Sequence, residues 1–98
     1  MIDVTGDIEK ALSLDSSVIY FTASWCQPCK QLKPIYAKAG MSDSDNQYFI
    51  IDIDTIDNKY LERYNIKSIP TLFLMNKEEV VKTITARTAE EIIEQVNS

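Results

Sequence analysis

The 98-residue chain carries 15 acidic and 10 basic residues, a net charge of −5, and is 45% hydrophobic. That composition excludes a disordered chain and argues against a nucleic-acid binder, which would show a basic face. No run of about 18 apolar residues is present to span a membrane, and one domain over residues 1–98 is expected, large enough to bury a single core.

In chain order, Ile2 to Val4 is a short strand. Thr5 or Asp7 can cap the helix that follows, whose apolar face is Ile8, Ala11 and Leu12. Asp15-Ser16-Ser17 is a turn. Val18 to Thr22 is nearly apolar throughout, the pattern of a central strand covered on both faces. A helix runs from about Cys26 to Ala39, with Leu32, Ile35, Tyr36 and Ala39 at helical spacing. Pro34 falls inside it and predicts a kink. Gly40 to Asn46 is polar and reads as a loop. Gln47 to Ile53 is a second buried strand. Asp57 to Tyr64 is a short helix with Tyr60, Leu61 and Tyr64 inward. Thr71 to Met75 and Val80 to Thr85 are strands, the second at an edge. The turn between them, Asn76-Lys77-Glu78-Glu79, lacks the glycine often found in hairpins. Thr88-Ala89-Glu90-Glu91 is a capping box in which Glu91 reaches back to the Thr88 N–H. Ile92, Ile93 and Val96 form the inner face of the last helix. Strand–helix–strand units require parallel pairing, and the closing hairpin adds antiparallel strands. The fold class is therefore α/β, a central mixed sheet flanked by helices in the order βαβαβαββα.

The two cysteines lie in Trp25-Cys26-Gln27-Pro28-Cys29-Lys30, where a strand hands over to a helix. On a first helical turn, residues i and i+3 share a face, with Cα atoms about 5–6 Å apart, within disulfide range. The helix start offers unpaired N–H groups and partial positive charge, which favour a thiolate at Cys26. Lowering its pKa from about 8.5 to about 7 takes about 2 kcal/mol. A helix terminus usually supplies about 0.3–1 kcal/mol, and a hydrogen bond from the Cys29 thiol is the natural source of the remainder. Pro28 suits a first turn, where its missing N–H costs nothing. Two cysteines and no histidine cannot close a four-ligand zinc site within one chain. No metal or cofactor is expected. Asp52 and Asp54, flanking Ile53, read as solvated residues at a strand end rather than a cation site.

The hexapeptide resembles the active site of the thioredoxin family, and the likeness extends over nearly the whole chain. Pro34 and the acidic strand end at Asp52 and Asp54 match family positions. Ile69-Pro70-Thr71, with Pro70 44 positions after Cys26, matches the family's cis proline facing the sulfurs. The resemblance implies the thioredoxin fold and a protein-disulfide reductase. Cys26 would attack a partner's disulfide, and Cys29 would resolve the mixed disulfide. Trp25, Gln27, Pro28, Ile69, Pro70 and Ala86 would form the docking rim, the Ile69 backbone pairing with an extended partner segment. Expected partners are disulfide-containing proteins and an NADPH-dependent flavoprotein reductase that recharges the dithiol. The chain is expected to be a monomer, with no nucleic-acid or membrane partner. Met1-Ile2-Asp3-Val4 lacks a basic segment followed by an apolar one. A cytoplasmic location is therefore expected, and there a lone Cys-X-X-Cys is more often catalytic than structural.

Three positions depart from the family pattern. Tyr20, six residues before Cys26, stands where the family usually has a buried Asp that moves a proton at the resolving cysteine. The lysine that accompanies that Asp falls at Ile50 or Ile51. Tyrosine, with a pKa near 10, is a poor base, so either water does that job or Tyr20 only packs. Gln27 replaces a glycine and bears on redox poise. Arg87 stands beside the rim, where a small apolar residue is common, and favours acidic partners. One rival is a glutathione-linked glutaredoxin, opposed by Trp25 and by the missing glycine pair after the Pro70 strand. A thioredoxin-fold binding subunit and an oxidant of an oxidising compartment are the others.

Overall fold

The computed structural model describes residues 1–98. The strands are β1 (Ile2–Asp3), β2 (Ser17–Thr22), β3 (Gln47–Asp52), β4 (Thr71–Asn76) and β5 (Glu79–Ile84). The helices are α1 (Ile8–Leu12), α2 (Gln27–Ser42), α3 (Asn58–Arg63) and α4 (Ala89–Asn97). One mixed sheet runs β1-β3-β2-β4-β5. Its first three strands are parallel, β4 is antiparallel to β2, and β5 to β4. The chain order βαβαβαββα is the expected one.

Strand β2 is central, and Val18, Ile19, Tyr20 and Phe21 are fully buried. Alternate side chains point to opposite faces of a strand. Val18 and Tyr20 therefore join Tyr48, Leu72 and Leu74 beneath α2 and α4. Ile19 and Phe21 join Phe49, Ile51, Phe73 and Met75 beneath α1 and α3.

Helix starts follow their caps. Asp7, not Thr5, caps α1 by accepting from Lys10 N at 3.1 Å, while the Thr5 hydroxyl donates to Asp3 instead. Asp57 caps α3, which buries Tyr60 and half-buries Leu61 and Tyr64. Thr88 caps α4 through Glu91 N at 3.2 Å. The Glu91 carboxylate, however, meets the Thr88 hydroxyl at 3.3 Å rather than its backbone N–H.

Several boundaries differ from expectation by a residue: β2 takes in Ser17, β3 stops at Asp52, β4 runs on to Asn76 and β5 stops at Ile84. Cys26 is the N-cap of α2 and not its first residue. The helix passes through Pro34 and continues to Ser42, so Gly40 does not begin a loop. Gly40 is a point of close approach: a Cβ there would lie 3.1 Å from Ile2 Cβ and 3.2 Å from Tyr48 Cβ. Strand β5 begins at Glu79, because the hairpin needs only Lys77 and Glu78 as its loop. Lys77 supplies the turn without glycine by adopting φ 53°, and its N–H is held by Leu14 O at 2.7 Å. Strand β1 stops at Asp3, one residue short.

Past the end of α2, Asp43 is 5% exposed. Its carboxylate accepts from Asp45 N–H at 3.0 Å, Asn46 Nδ2 at 3.0 Å, the Tyr48 hydroxyl at 2.8 Å and Asn97 Nδ2 at 3.2 Å. One carboxylate thus ties the ends of α2 and α4 to the start of β3.

Candidate active site

Because β2 and β4 are antiparallel, with Phe21 opposite Thr71, the segment after β2 and the segment before β4 meet at one end of the sheet. The first brings the cysteines and the second brings Ile69 and Pro70. Cys26 and Cys29 form a disulfide with Cα atoms 5.3 Å apart. Cys26 takes the extended backbone of an N-cap, φ −91° and ψ 110°. In place of the usual side-chain oxygen, its Sγ accepts from the Cys29 N–H at 3.3 Å. Pro28 occupies the first turn.

Both sulfurs are sheltered, Cys26 at 5% and Cys29 at 1% exposure. They differ in surroundings. Cys26 lines an open cleft of about 490 Å³ with Trp25, Gln27, Pro28 and Ile69, and the Ile69 carbonyl oxygen lies 3.8 Å from its Sγ. The Ile69–Pro70 peptide is cis. Pro70 and Ala86 line a neighbouring cleft that shares Pro28. The six rim residues therefore line two adjoining clefts that meet at Pro28.

Trp25 is 65% exposed, and its indole Nε1 donates to Asp54 Oδ2 at 2.9 Å. Asp54 N in turn donates to Asp52 Oδ1 at 2.8 Å. The two aspartates thus serve as local acceptors, one of them positioning the rim tryptophan. The sequence carried no signal for this bond, which joins residues 29 positions apart.

Tyr20 neither faces water nor merely packs. It is fully buried, and its hydroxyl donates to the backbone carbonyl of Cys29. Burial, the leading influence, raises its pKa above the ordinary tyrosine value, so it is a donor and not a base. Ile50 lies opposite Tyr20 in the β2–β3 register. An aromatic–aliphatic pair therefore stands where the family has a carboxylate and a lysine, an exchange that can be neutral or stabilising when both charges go together. Tyr20 meets Tyr36 edge-to-face, centroids 4.8 Å apart, and Tyr36 lies 5.5 Å from Tyr48. The Tyr36 hydroxyl sits 2.7 Å from Phe49 O and 3.1 Å from Val18 O, bridging the main chains of β2 and β3. Burial raises its pKa well above the ordinary value too. Sequence reasoning missed this row of hydroxyls. Its only trace there is three tyrosines at inward positions.

The family model described as Thioredoxin matches residues 5–98. The chain belongs to the thioredoxin family. It is 34% identical over 76 residues to Thioredoxin H3 of Arabidopsis thaliana, covering 78% of this chain and 64% of that protein. It is 34% identical over 71 residues to a Thioredoxin H-type of Oryza sativa subsp. indica, covering 71% and 57%. The chain thus spans less than two thirds of the length of these curated relatives. The oxidised thioredoxin from Plasmodium falciparum superposes with a TM-score of 0.80 at 20% identity, covering 99% of this chain and 96% of that one. The reduced Schistosoma mansoni thioredoxin pre-protein gives 0.76 at 24% identity, covering 98% and 94%. These two likenesses establish the thioredoxin fold.

Proposed function

We propose that this thioredoxin-family chain is a thiol–disulfide oxidoreductase that reduces disulfides in partner proteins. The observation that carries the reading is the Cys26–Cys29 disulfide at the start of α2, with Cys26 opening onto a cleft walled by Ile69. In the reduced form the Cys26 thiolate attacks one sulfur of a partner cystine. That S–S bond breaks, a mixed disulfide forms, and the other partner sulfur leaves as a thiolate that takes up a proton. The Cys29 thiolate then attacks Cys26 Sγ and expels the second partner sulfur. The partner gains two electrons and the 26–29 disulfide returns. Tyr20 holds the Cys29 main chain through this exchange, and the proton of Cys29 passes to water. An NADPH-dependent flavoprotein reductase supplies the electrons for the next cycle. The protein works as a monomer in the cytoplasm, a setting that suits a lone Cys-X-X-Cys.

The test is reduction of a protein disulfide, followed by free-thiol titration. Wild type reduces it, Cys26→Ser does not, and Cys29→Ser accumulates one mixed disulfide at Cys26. Iodoacetamide should modify Cys26 faster than Cys29 in the reduced protein; a faster Cys29 reverses the roles. Full turnover with glutathione as sole reductant would favour a glutaredoxin-type activity. A Cys26→Ser/Cys29→Ser variant that keeps its cellular function would favour a binding subunit.

A further inference from the structure

On the reductase reading, a partner's cystine lies over Cys26, and the two clefts that meet beside it carry the same sign of charge. Pro28 is the ridge shared by two clefts. The one that holds Cys26, about 490 Å³, has Lys67 in its lining. The neighbouring one, about 420 Å³, is lined by Pro70, Ala86 and Arg87. Each cleft has one cation, and neither has an acidic residue in its wall. This occurs in a chain of net charge −5 with 15 acidic residues, so the cations are not what the average surface would supply.

Both are exposed and unspent. The ion pairs of the molecule join Lys10 to Asp3, Arg63 to Glu78 and Lys77 to Asp15, and involve neither Lys67 nor Arg87. The acids that adjoin the clefts are occupied otherwise. Glu91 shares a third cleft with Arg87 but meets the Thr88 hydroxyl at 3.3 Å. Asp54 accepts the Trp25 indole at 2.9 Å.

We propose that Lys67 and Arg87 select the partner: the cystine this protein reduces lies in an extended segment with carboxylates on both sides of the attacked cysteine. The proposal rests on the reductase reading and adds a substrate class to it. A strand laid over Ile69 advances about 3.3 Å per residue and shows alternate side chains to the same face, so side chains two positions from the cysteine share its face and reach towards the two clefts. Charge complementarity of this kind acts on encounter rate and partner choice. It is screened by salt, and rim pairs are individually weak. A preference of about two- to five-fold per cation follows.

The experiment uses three otherwise identical fluorogenic disulfide peptides, with Glu, Gln or Lys filling two positions on each side of the target cysteine. kcat/KM is measured at low and high salt for wild type and for Lys67→Glu/Arg87→Glu. The readout is the Glu-to-Lys ratio within each protein, which is independent of the folded fraction. In wild type the Glu peptide should lead the Lys peptide by about ten-fold or more at low salt, with Gln between. High salt should compress the ratio, and the double variant should invert it. Equal rates on Glu and Lys peptides in wild type overturn the proposal, as does a preference that survives in the double variant. If none of the three peptides is reduced, the reductase reading itself fails and the proposal goes with it. Reduction of the Gln peptide without a Glu preference sinks only the charge selection.

Discussion

The face of the sheet under α2 and α4 and the face under α1 and α3 share strands but not chemistry. Under α1 and α3, the strands supply Ile19, Phe21, Phe49, Ile51, Phe73 and Met75 as hydrocarbon and thioether, and the hydroxyls of Tyr60 and Tyr64 from α3 and its end turn to Glu9 and Glu78. Under α2 and α4, the alternate residues of the same strands bring Tyr20 and Tyr48 to Tyr36, with both cysteines alongside. No buried side-chain nitrogen or oxygen in the molecule lacks a partner, so this second face is stabilised by directional bonds as well as by area. Hydrocarbon contacts have no preferred direction, whereas satisfied hydrogen-bond networks rigidify the groups they join. On the face that holds the sulfurs, the Tyr20 hydroxyl meets the Cys29 carbonyl, Tyr36 meets those of Val18 and Phe49, and Tyr48 meets the Asp43 carboxylate.

The comparison breaks most sharply at Tyr20. Tyr20→Asp buries a carboxylate opposite Ile50 with no lysine to meet it, and should cost about 3–5 kcal/mol. It should also add to the pH profile of disulfide reduction a step that is absent in wild type. Urea unfolding and the pH profile check the two halves. Unchanged stability together with an unchanged profile would place Tyr20 away from the sulfurs.

Phe49→Ala, on the hydrocarbon face, should cost a similar 3–5 kcal/mol through its cavity, yet leave the rate per folded molecule and the pH profile as they were. A fall in rate measured well below the unfolding midpoint would mean the two faces are not separate in function.

Asp43 sharpens the comparison at a distance from the sulfurs, since it accepts from Tyr48 of the hydroxyl row. Burial is the largest single influence and pushes its pKa up, but the bonds from Asn46, Tyr48, Asn97 and Asp45 together hold it below the ordinary carboxylate range. A carboxyl lowered in the folded state stabilises fully above its unfolded pKa of about 3.9 and loses that contribution as pH falls through the folded value. Asp43→Ala should cost about 1–3 kcal/mol at pH 7 by leaving donors unpaired. The gap to wild type should narrow at about pH 2, in urea melts at both pH values.

The smallest effect belongs to neither face. Thr88→Ala removes the cap of α4 and should cost about 1 kcal/mol with no change in disulfide reduction. Thermal melts and the reductase assay read it.

Sheet, helices and the cysteine pair were legible because each rests on local pattern. The apolar run of β2, the spacing in α2 and the Thr88 cap all lie within a few residues of what they specify. What was not legible depends on atoms distant in sequence. Gly40 reads as a stop, and only the approach of Ile2 and Tyr48 makes it a contact point inside a helix. Trp25 reads as an apolar rim, and its tether to Asp54 crosses from the end of β2 to the end of β3. Tyr20 is visibly a departure from the family. That it donates to a carbonyl in the first turn of α2 follows only from the packing of that helix on the sheet.

The antiparallel pairing of β2 with β4 also sets an order of events in the life of the chain. The cysteines and the Ile69 carbonyl beside them are 43 positions apart, and synthesis proceeds from the N-terminus at about 5–20 residues per second. For some seconds a nascent chain holds both thiols with no β4 and no docking cleft. Long-range strand pairing of this kind is also slow to form. The thiols therefore exist before the cleft does, and Ile69 comes to wall Cys26 only when β4 closes against β2.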